Sequence, residues 1–252
     1  FGLRLSITSN GLPLENPQIR QSLIEHYDRV TVSVDGFGPV HDDCRGMPGL
    51  FELVKRAVIS LRKESNTLTI TVNTILMRGN IAGFETLCRE VAGWGVNELT
   101  FNQLGGIDRP EFYPANRLFP EQAEAFAAAL PGIRSRMAQL GLTIHGGDRY
   151  LQRIAATSRD ERIPLDDCEP GRTFLFIDER GRIAPCSFTA AEYGIPMGEI
   201  ASPDDIAALI ALIEPMEQEG ILVHRPRELL EREIDRGHSL FRDRDFLLQH
   251  GS

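Results

Sequence analysis

Five β-prone runs in the first 145 residues are each separated from the next by a stretch with helical periodicity, and this alternation constrains the fold more than any other feature. The runs are Leu3–Ser9, Val30–Val34, Thr67–Met77, Glu98–Leu104 and Leu142–His145. Between them, Ile19, Leu23, Ile24 and Tyr27 repeat at helical spacing, as do Leu50, Phe51, Val54, Ala57, Val58 and Leu61. Ala82–Gly93 and the Ala-rich Pro120–Leu140 are also helical, the latter expected to break at Pro131. Hairpin strands need only a tight turn, whereas strands spaced by a whole helix are parallel and joined by crossovers. The alternation therefore predicts an α/β fold, either a doubly wound sheet or part of a TIM-like (β/α) barrel.

The character changes near Gly146. A helix at Tyr150–Ala156 and a polar linker at Thr157–Arg162 precede a β-hairpin, in which Phe174–Ile177 and Ile183–Cys186 flank Asp178-Glu-Arg-Gly181. Two helices, near Pro203–Glu219 and Arg227–Asp235, follow, the first with Ser202 as N-cap. The expected organisation is a barrel-like domain over residues 1–147 and a small α+β domain over residues 148–252.

Several function classes are disfavoured. With 27 basic against 36 acidic residues and no basic cluster, nucleic acid is not the expected partner. No apolar run approaches the about 20 residues a membrane span needs, so no membrane partner is expected. Four scattered cysteines, at positions 44, 88, 168 and 186, do not form a disulfide scaffold and suggest a reducing, cytoplasmic setting. No G-x-G-x-x-G or G-x-x-x-x-G-K-[ST] follows any strand, which removes the usual support for dinucleotide and P-loop readings.

What remains is the polarity of the strand ends: Thr8, Ser9 and Asn10; Ser33 and Asp35; Asn73; Asn102 and Gln103. Parallel strands buried on both faces are expected to be apolar, and an unpaired buried hydroxyl or amide costs about 1–3 kcal/mol. Four consecutive strands turning polar at one end imply a polar ligand or a wet mouth there. The loop after Val34 adds His41, Asp42 and Arg45, and Arg45 is able to clamp a carboxylate beside the Ser33 hydroxyl. A plainer reading has Asp35 and Asp42 capping backbone and Arg45 paired with one of them.

The segments Ile7-Thr-Ser-Asn-Gly11, Val32-Ser-Val-Asp-Gly36 with His41-Asp42 and Arg45-Gly46, Val72-Asn73 with Asn80, and Gly95-Val-Asn-Glu-Leu-Thr-Phe101 together resemble the radical S-adenosylmethionine (SAM) superfamily. The resemblance covers residues 3–104 or so and matches strands after the first two of that family's partial (β/α)6 barrel; here Ser9 is inserted in the family's Thr-Asn-Gly element. It implies reductive cleavage of SAM to methionine and a 5′-deoxyadenosyl radical, with a [4Fe–4S] cluster as cofactor, flavodoxin or ferredoxin as reductant, and a small molecule or peptide as substrate. By the same resemblance Ser33 and Arg45 hold the amino-acid end of SAM, and Asp35 and Asn73 lie near its ribose or the substrate. Backbone near Phe101 touches the adenine, while Thr8, Asn10 and Gln103 complete the cofactor site.

In the tail, Cys168-x12-Gly181-x4-Cys186 is similar to the opening of the SPASM or twitch extension, whose cysteines bind an auxiliary iron–sulfur cluster. Two departures accompany these matches. The family's C-x3-C-x2-C motif is absent, and no cysteine follows Cys186, so an auxiliary cluster is incompletely supplied. The chain opens directly on a strand, so the expectation is a truncated protein whose cluster loop and first strands lie upstream, inactive as it stands. A cluster-free binding module is one alternative. The other is a conventional barrel lyase using Asp35 and Asp42, which lacks a strand-end lysine because Lys55 and Lys63 fall on helices.

Overall fold

The computed structural model describes residues 4–105, 110–161, 175–178, 180–184, 194–202 and 205–206. The chain divides into two compact units, Phe1–Ile163 and Pro164–Ser252. The helix that the sequence pattern assigned to the second domain lies in the first unit.

The first unit runs β1 (Ser6–Ser9), α1 (Pro17–His26), β2 (Arg29–Ser33), α2 (Pro39–Arg45), α3 (Leu50–Glu64), β3 (Thr69–Leu76), α4 (Phe84–Gly93), β4 (Glu98–Gln103), α5 (Tyr113–Asn116), α6 (Pro120–Ala138), β5 (Thr143–Ile144) and α7 (Asp148–Ser158). The five strands form one parallel sheet in sequential order, β1-β2-β3-β4-β5. Sequential order with right-handed crossovers carries every helix to the same side and is the arrangement of a barrel segment, not of a doubly wound sheet.

Along each strand alternate residues turn to opposite faces. Val30, Val32, Ile70, Val72, Leu76, Leu99 and Phe101 are buried and share one core with Leu50, Val54, Val58 and Leu61 of α3, Phe84, Leu87 and Val91 of α4, and Phe126, Leu130 and Met137 of α6. Of the intervening residues, Arg29, Thr31, Ser33, Asn73, Glu98 and Thr100 are only partly buried and Asn102 is exposed, while Thr71 is buried beside the Arg29–Glu98 pair. The expectation of strands buried on both faces is thereby corrected: R-V-T-V-S, T-I-T-V-N and E-L-T-F-N alternate strictly, as strands with one dry and one wet face do.

Two local expectations are also revised. α6 continues through Pro131, because Phe126, Leu130, Ile133 and Met137 stay on one buried face across it and outweigh the lost backbone hydrogen bond. The stretch holding His41, Asp42 and Arg45 is not a loop but α2, started by Pro39 at its first turn and stopped by Gly46 at φ 65°.

In the second unit β6 (Phe176–Ile177) pairs antiparallel with β7 (Arg182–Ala184), and β8 (Ile195–Pro196) adds a third strand. The expected hairpin is present, its turn closed by the Asp178 carboxylate accepting from Arg180 N and Arg182 N, with Gly181 at φ 72°. Cys168, Cys186 and the helix expected near Arg227–Asp235 lie outside the described residues, and of the helix expected near Pro203–Glu219 only residues 205–206 are described, both helical.

Candidate functional site

Strand register arranges the wet face in rows. Thr8, Thr31, Thr71, Glu98 and Thr143 align across all five strands, and the next row toward the strand ends is Ser33, Asn73 and Thr100. Asn102 lies one row further, beside Ile75. Among the sequence-derived candidates, Thr8, Ser33 and Asn73 therefore share this face, with Thr8 one row below the other two. Asn10 sits in the turn beyond β1, where its Oδ1 accepts from Leu12 N at 3.1 Å and Ser9 Oγ accepts from Gly11 N at 3.1 Å. Gly11 is held at φ +88°, and a Cβ there would come within 2.8 Å of Val54 and 3.0 Å of Val32. The turn is thus pressed onto the core beneath the site.

Asp35 and Arg45 meet at the end of β2. Arg45 Nη2 is 2.7 Å from Asp35 Oδ2, and Asp35 Oδ1 accepts from Ile75 N at 2.9 Å. The Asp35 side chain is 6% exposed, that of Arg45 30%. One carboxylate thus carries the ladder across to β3 where β2 has ended and also anchors the guanidinium, as the plainer reading expected for Arg45. Asn80 Nδ2 donates to Asp35 O and Ile75 O, and its Oδ1 accepts from Met77 N at 2.8 Å. Asp35 N donates to His41 Nδ1 at 3.1 Å, which makes Nε2 the protonated nitrogen of a neutral, fully buried ring. Burial lowers the His41 pKa from its ordinary value.

Asp42 does not face the site. Its two oxygens accept from Gly49 N at 2.6 Å and Phe51 N at 2.8 Å, so it caps α3, and the Phe51 amide above all lowers its pKa. The pairing of Asp35 with Asp42 as acid and base, which the lyase alternative needs, is not formed.

Asn73 Oδ1 accepts from Thr100 Oγ1 and from Asn102 Nδ2, both at 2.9 Å. Asn102 Oδ1 in turn accepts from the Tyr150 hydroxyl at 3.0 Å. Phe101 and Gln103 belong to the opposite, helix-facing side. The Phe101 ring packs edge-on to Phe84 and Phe126, and Gln103 Nε2 donates to Thr157 Oγ1 at 3.3 Å. Only their backbone is left for the wet face.

Sequence reasoning passed over Thr100, Tyr150 and the Arg29–Glu98 pair, whose Nη1 and Oε2 lie 2.6 Å apart. The period-two alternation of R-V-T-V-S and E-L-T-F-N was the signal that would have found the strand residues; Tyr150 arrives only through packing.

The described cysteines do not suit an iron–sulfur cluster. Cys88 is buried on α4 with its thiol pushed up to about 12 by burial, and burial also raises Cys44 on α2. Among the described residues no group of three or more His, Cys, Asp or Glu side chains is placed to hold a metal ion. The polar side chains of Ser33 and Asn73 are adjacent in register at the strand ends, and Arg45 is anchored by Asp35 at the end of β2.

No family model matches the chain. It is 23% identical over 209 residues to the AdoMet-dependent heme synthase of Oleidesulfovibrio alaskensis, covering 77% of this chain and 52% of the relative. It is also 30% identical over 152 residues to an amino-acid acetyltransferase of Aeromonas salmonicida, covering 58% of this chain and 31% of that protein. Among solved structures, Streptococcus suis SuiB bound to S-adenosylmethionine matches with TM-score 0.62 and 11% identity, over 89% of this chain and 51% of SuiB. SuiB bound to its precursor peptide SuiA matches with TM-score 0.57 and 10% identity, over the same shares of the two chains. The chain thus spans about half the length of the heme synthase and of SuiB. Parallel strands in sequential order and these similarities give the chain the fold of the SAM-bound structures it matches, and both the fold and the similarity to the AdoMet-dependent heme synthase agree with the resemblance to the radical SAM superfamily.

Proposed function

We propose that the wet face of this chain holds SAM, and that the protein to which it belongs cleaves SAM reductively, with a flavodoxin or ferredoxin as electron donor, to modify a substrate. The observation that carries the reading is the row Ser33–Asn73–Thr100 beside an arginine already oriented by a buried carboxylate. Preorganised donors hold an anionic group at lower entropic cost than mobile ones. Arg45 and Ser33 receive the carboxylate of SAM, and Asn73 faces its ribose or the substrate. Thr8 and Asn10 border the site, and backbone at Phe101 and Gln103 flanks the adenine. Asp35 is reassigned from ligand contact to orienting Arg45, since both its oxygens are engaged.

The [4Fe–4S] ligands of such an enzyme are not among the described residues, so these residues bind and orient SAM and shield it from water. The substrate class favoured is a peptide, by analogy with SuiB and its precursor peptide. The second unit, a three-stranded antiparallel sheet whose hairpin lies between Cys168 and Cys186 in sequence, is assigned as a SPASM- or twitch-like extension.

Equilibrium dialysis of this chain against radiolabelled SAM tests the binding reading, with about tenfold weaker binding expected for Arg45→Ala and Ser33→Ala. After anaerobic treatment with iron, sulfide and dithionite, the same chain should release no 5′-deoxyadenosine. Absence of SAM binding, or binding indifferent to both substitutions, would overturn the assignment of the site.

The acetyltransferase similarity supports a second reading, in which the protein also transfers an acetyl group to an amino acid. Thiol release from acetyl-CoA in the presence of an amino acid is the check, and no release above background removes it.

A further inference from the structure

The Asn73 carbonyl oxygen is fully engaged, and the reason lies on another element. Gln103 N, a group that only donates, gives its hydrogen bond to the Tyr150 hydroxyl oxygen at 3.2 Å. The Tyr150 proton then goes to Asn102 Oδ1, which turns Asn102 Nδ2 toward Asn73 Oδ1. Thr100 Oγ1 supplies the second hydrogen bond to that oxygen. The Tyr150 ring is fixed beside Phe101, centroid to centroid 5.8 Å, so the hydroxyl has little freedom to turn away. Every link runs in one direction, from a backbone amide to Asn73.

We propose that Tyr150 is a positioning residue which, through Asn102, fixes the Asn73 amide with its NH2 toward the wet face, so that the ligand group opposite Asn73 is an oxygen acceptor, carboxylate, carbonyl or hydroxyl. The inference rests on the reading of that face as a ligand site and adds the polarity the ligand must have. With both lone pairs of its carbonyl oxygen taken, Asn73 offers two donors and no acceptor. A ligand presenting only N–H groups there meets donors with donors and is rejected.

Two measurements decide it. In a 15N-labelled chain, the Asn102 side-chain NH2 should exchange slowly with solvent and that of Asn73 fast. Tyr150→Phe should abolish this asymmetry while the backbone spectrum stays dispersed. In SAM titrations Asn73→Asp, which shows the ligand an acceptor, should weaken binding by about tenfold or more, and Tyr150→Phe by about threefold. Tyr150→Phe added to Asn73→Ala should weaken it no further, because the relay acts only through Asn73. Equal exchange of the two amides in the unaltered protein, or additive losses in the double variant, would overturn the proposal. A chain that shows the asymmetry yet binds no SAM keeps the orientation and removes SAM as the ligand; N–H-bearing ligands that bind unaffected by Asn73→Asp would remove the acceptor requirement.

Discussion

Asp35 and Arg45 are joined by a 2.7 Å contact in which the carboxylate, almost wholly buried, also accepts the backbone N–H of Ile75. Position 35 thus ties two strand ends together and holds the Arg45 guanidinium, the cation of the proposed SAM site. Asp35→Ala leaves the Ile75 amide without its acceptor and is expected to lower stability by about 2 kcal/mol. Asp35→Asn keeps an acceptor for Ile75 and is expected to cost less than half of that, while SAM binding falls in both. Urea unfolding of the two variants beside the parent chain checks the ordering; equal losses would mean that the Ile75 bond contributes nothing.

His41 makes stability depend on pH. Its ring is neutral and buried, and its pKa in the folded chain is below the ordinary 6.5. Asp35, Arg45 and Asp42 are the charged groups around it, with burial outweighing all of them. As pH falls through 6.5 the unfolded chain takes up a proton that the folded chain does not, so stability decreases on acidification. Melting temperature recorded from pH 7.5 down to 5.5 should drop more steeply for the parent chain than for His41→Gln, which has no proton to gain. Parallel slopes would remove His41 as the origin.

Pro131 lies inside α6 on its exposed side, while Phe126, Leu130, Ile133 and Met137 form the buried side of the same helix. Replacing it by Ala restores the missing backbone hydrogen bond, gaining about 3 kcal/mol of helix propensity against about 1 kcal/mol lost by loosening the unfolded chain. A net gain of about 2 kcal/mol is therefore expected for Pro131→Ala. Thermal and denaturant unfolding should both report it, and a loss would show that the helix is adapted to the ring.

Gly11 combines a left-handed backbone with contact distances that leave no room for a methyl group. Gly11→Ala is expected to cost about 2 kcal/mol, from the left-handed conformation and the displaced Val54 and Val32. Because the turn borders the proposed SAM site, SAM affinity should fall as well. An unperturbed melting curve would show that the turn relaxes away from the core.

The order of elements and the parallel pairing were legible in the chain because hydrophobic period and helix length are local properties. So was the concentration of polar residues at the strand ends, since T-S-N, S-V-D and F-N-Q are written side by side with the runs they end. The short helix at Pro39–Arg45 and the unbroken α6 were not, because a two-turn helix has little periodicity and Pro131 is tolerated only through its neighbours' packing. Which candidates face one another was a tertiary decision. Register alone put Ser33, Asn73 and Thr100 in one row and turned Phe101 and Gln103 away. Asp42 was spent on capping α3, and Tyr150 was brought to Asn102 across 48 residues of chain. Local sequence determines what each segment becomes, whereas side-chain partnership depends on pleat, register and packing between segments distant in sequence.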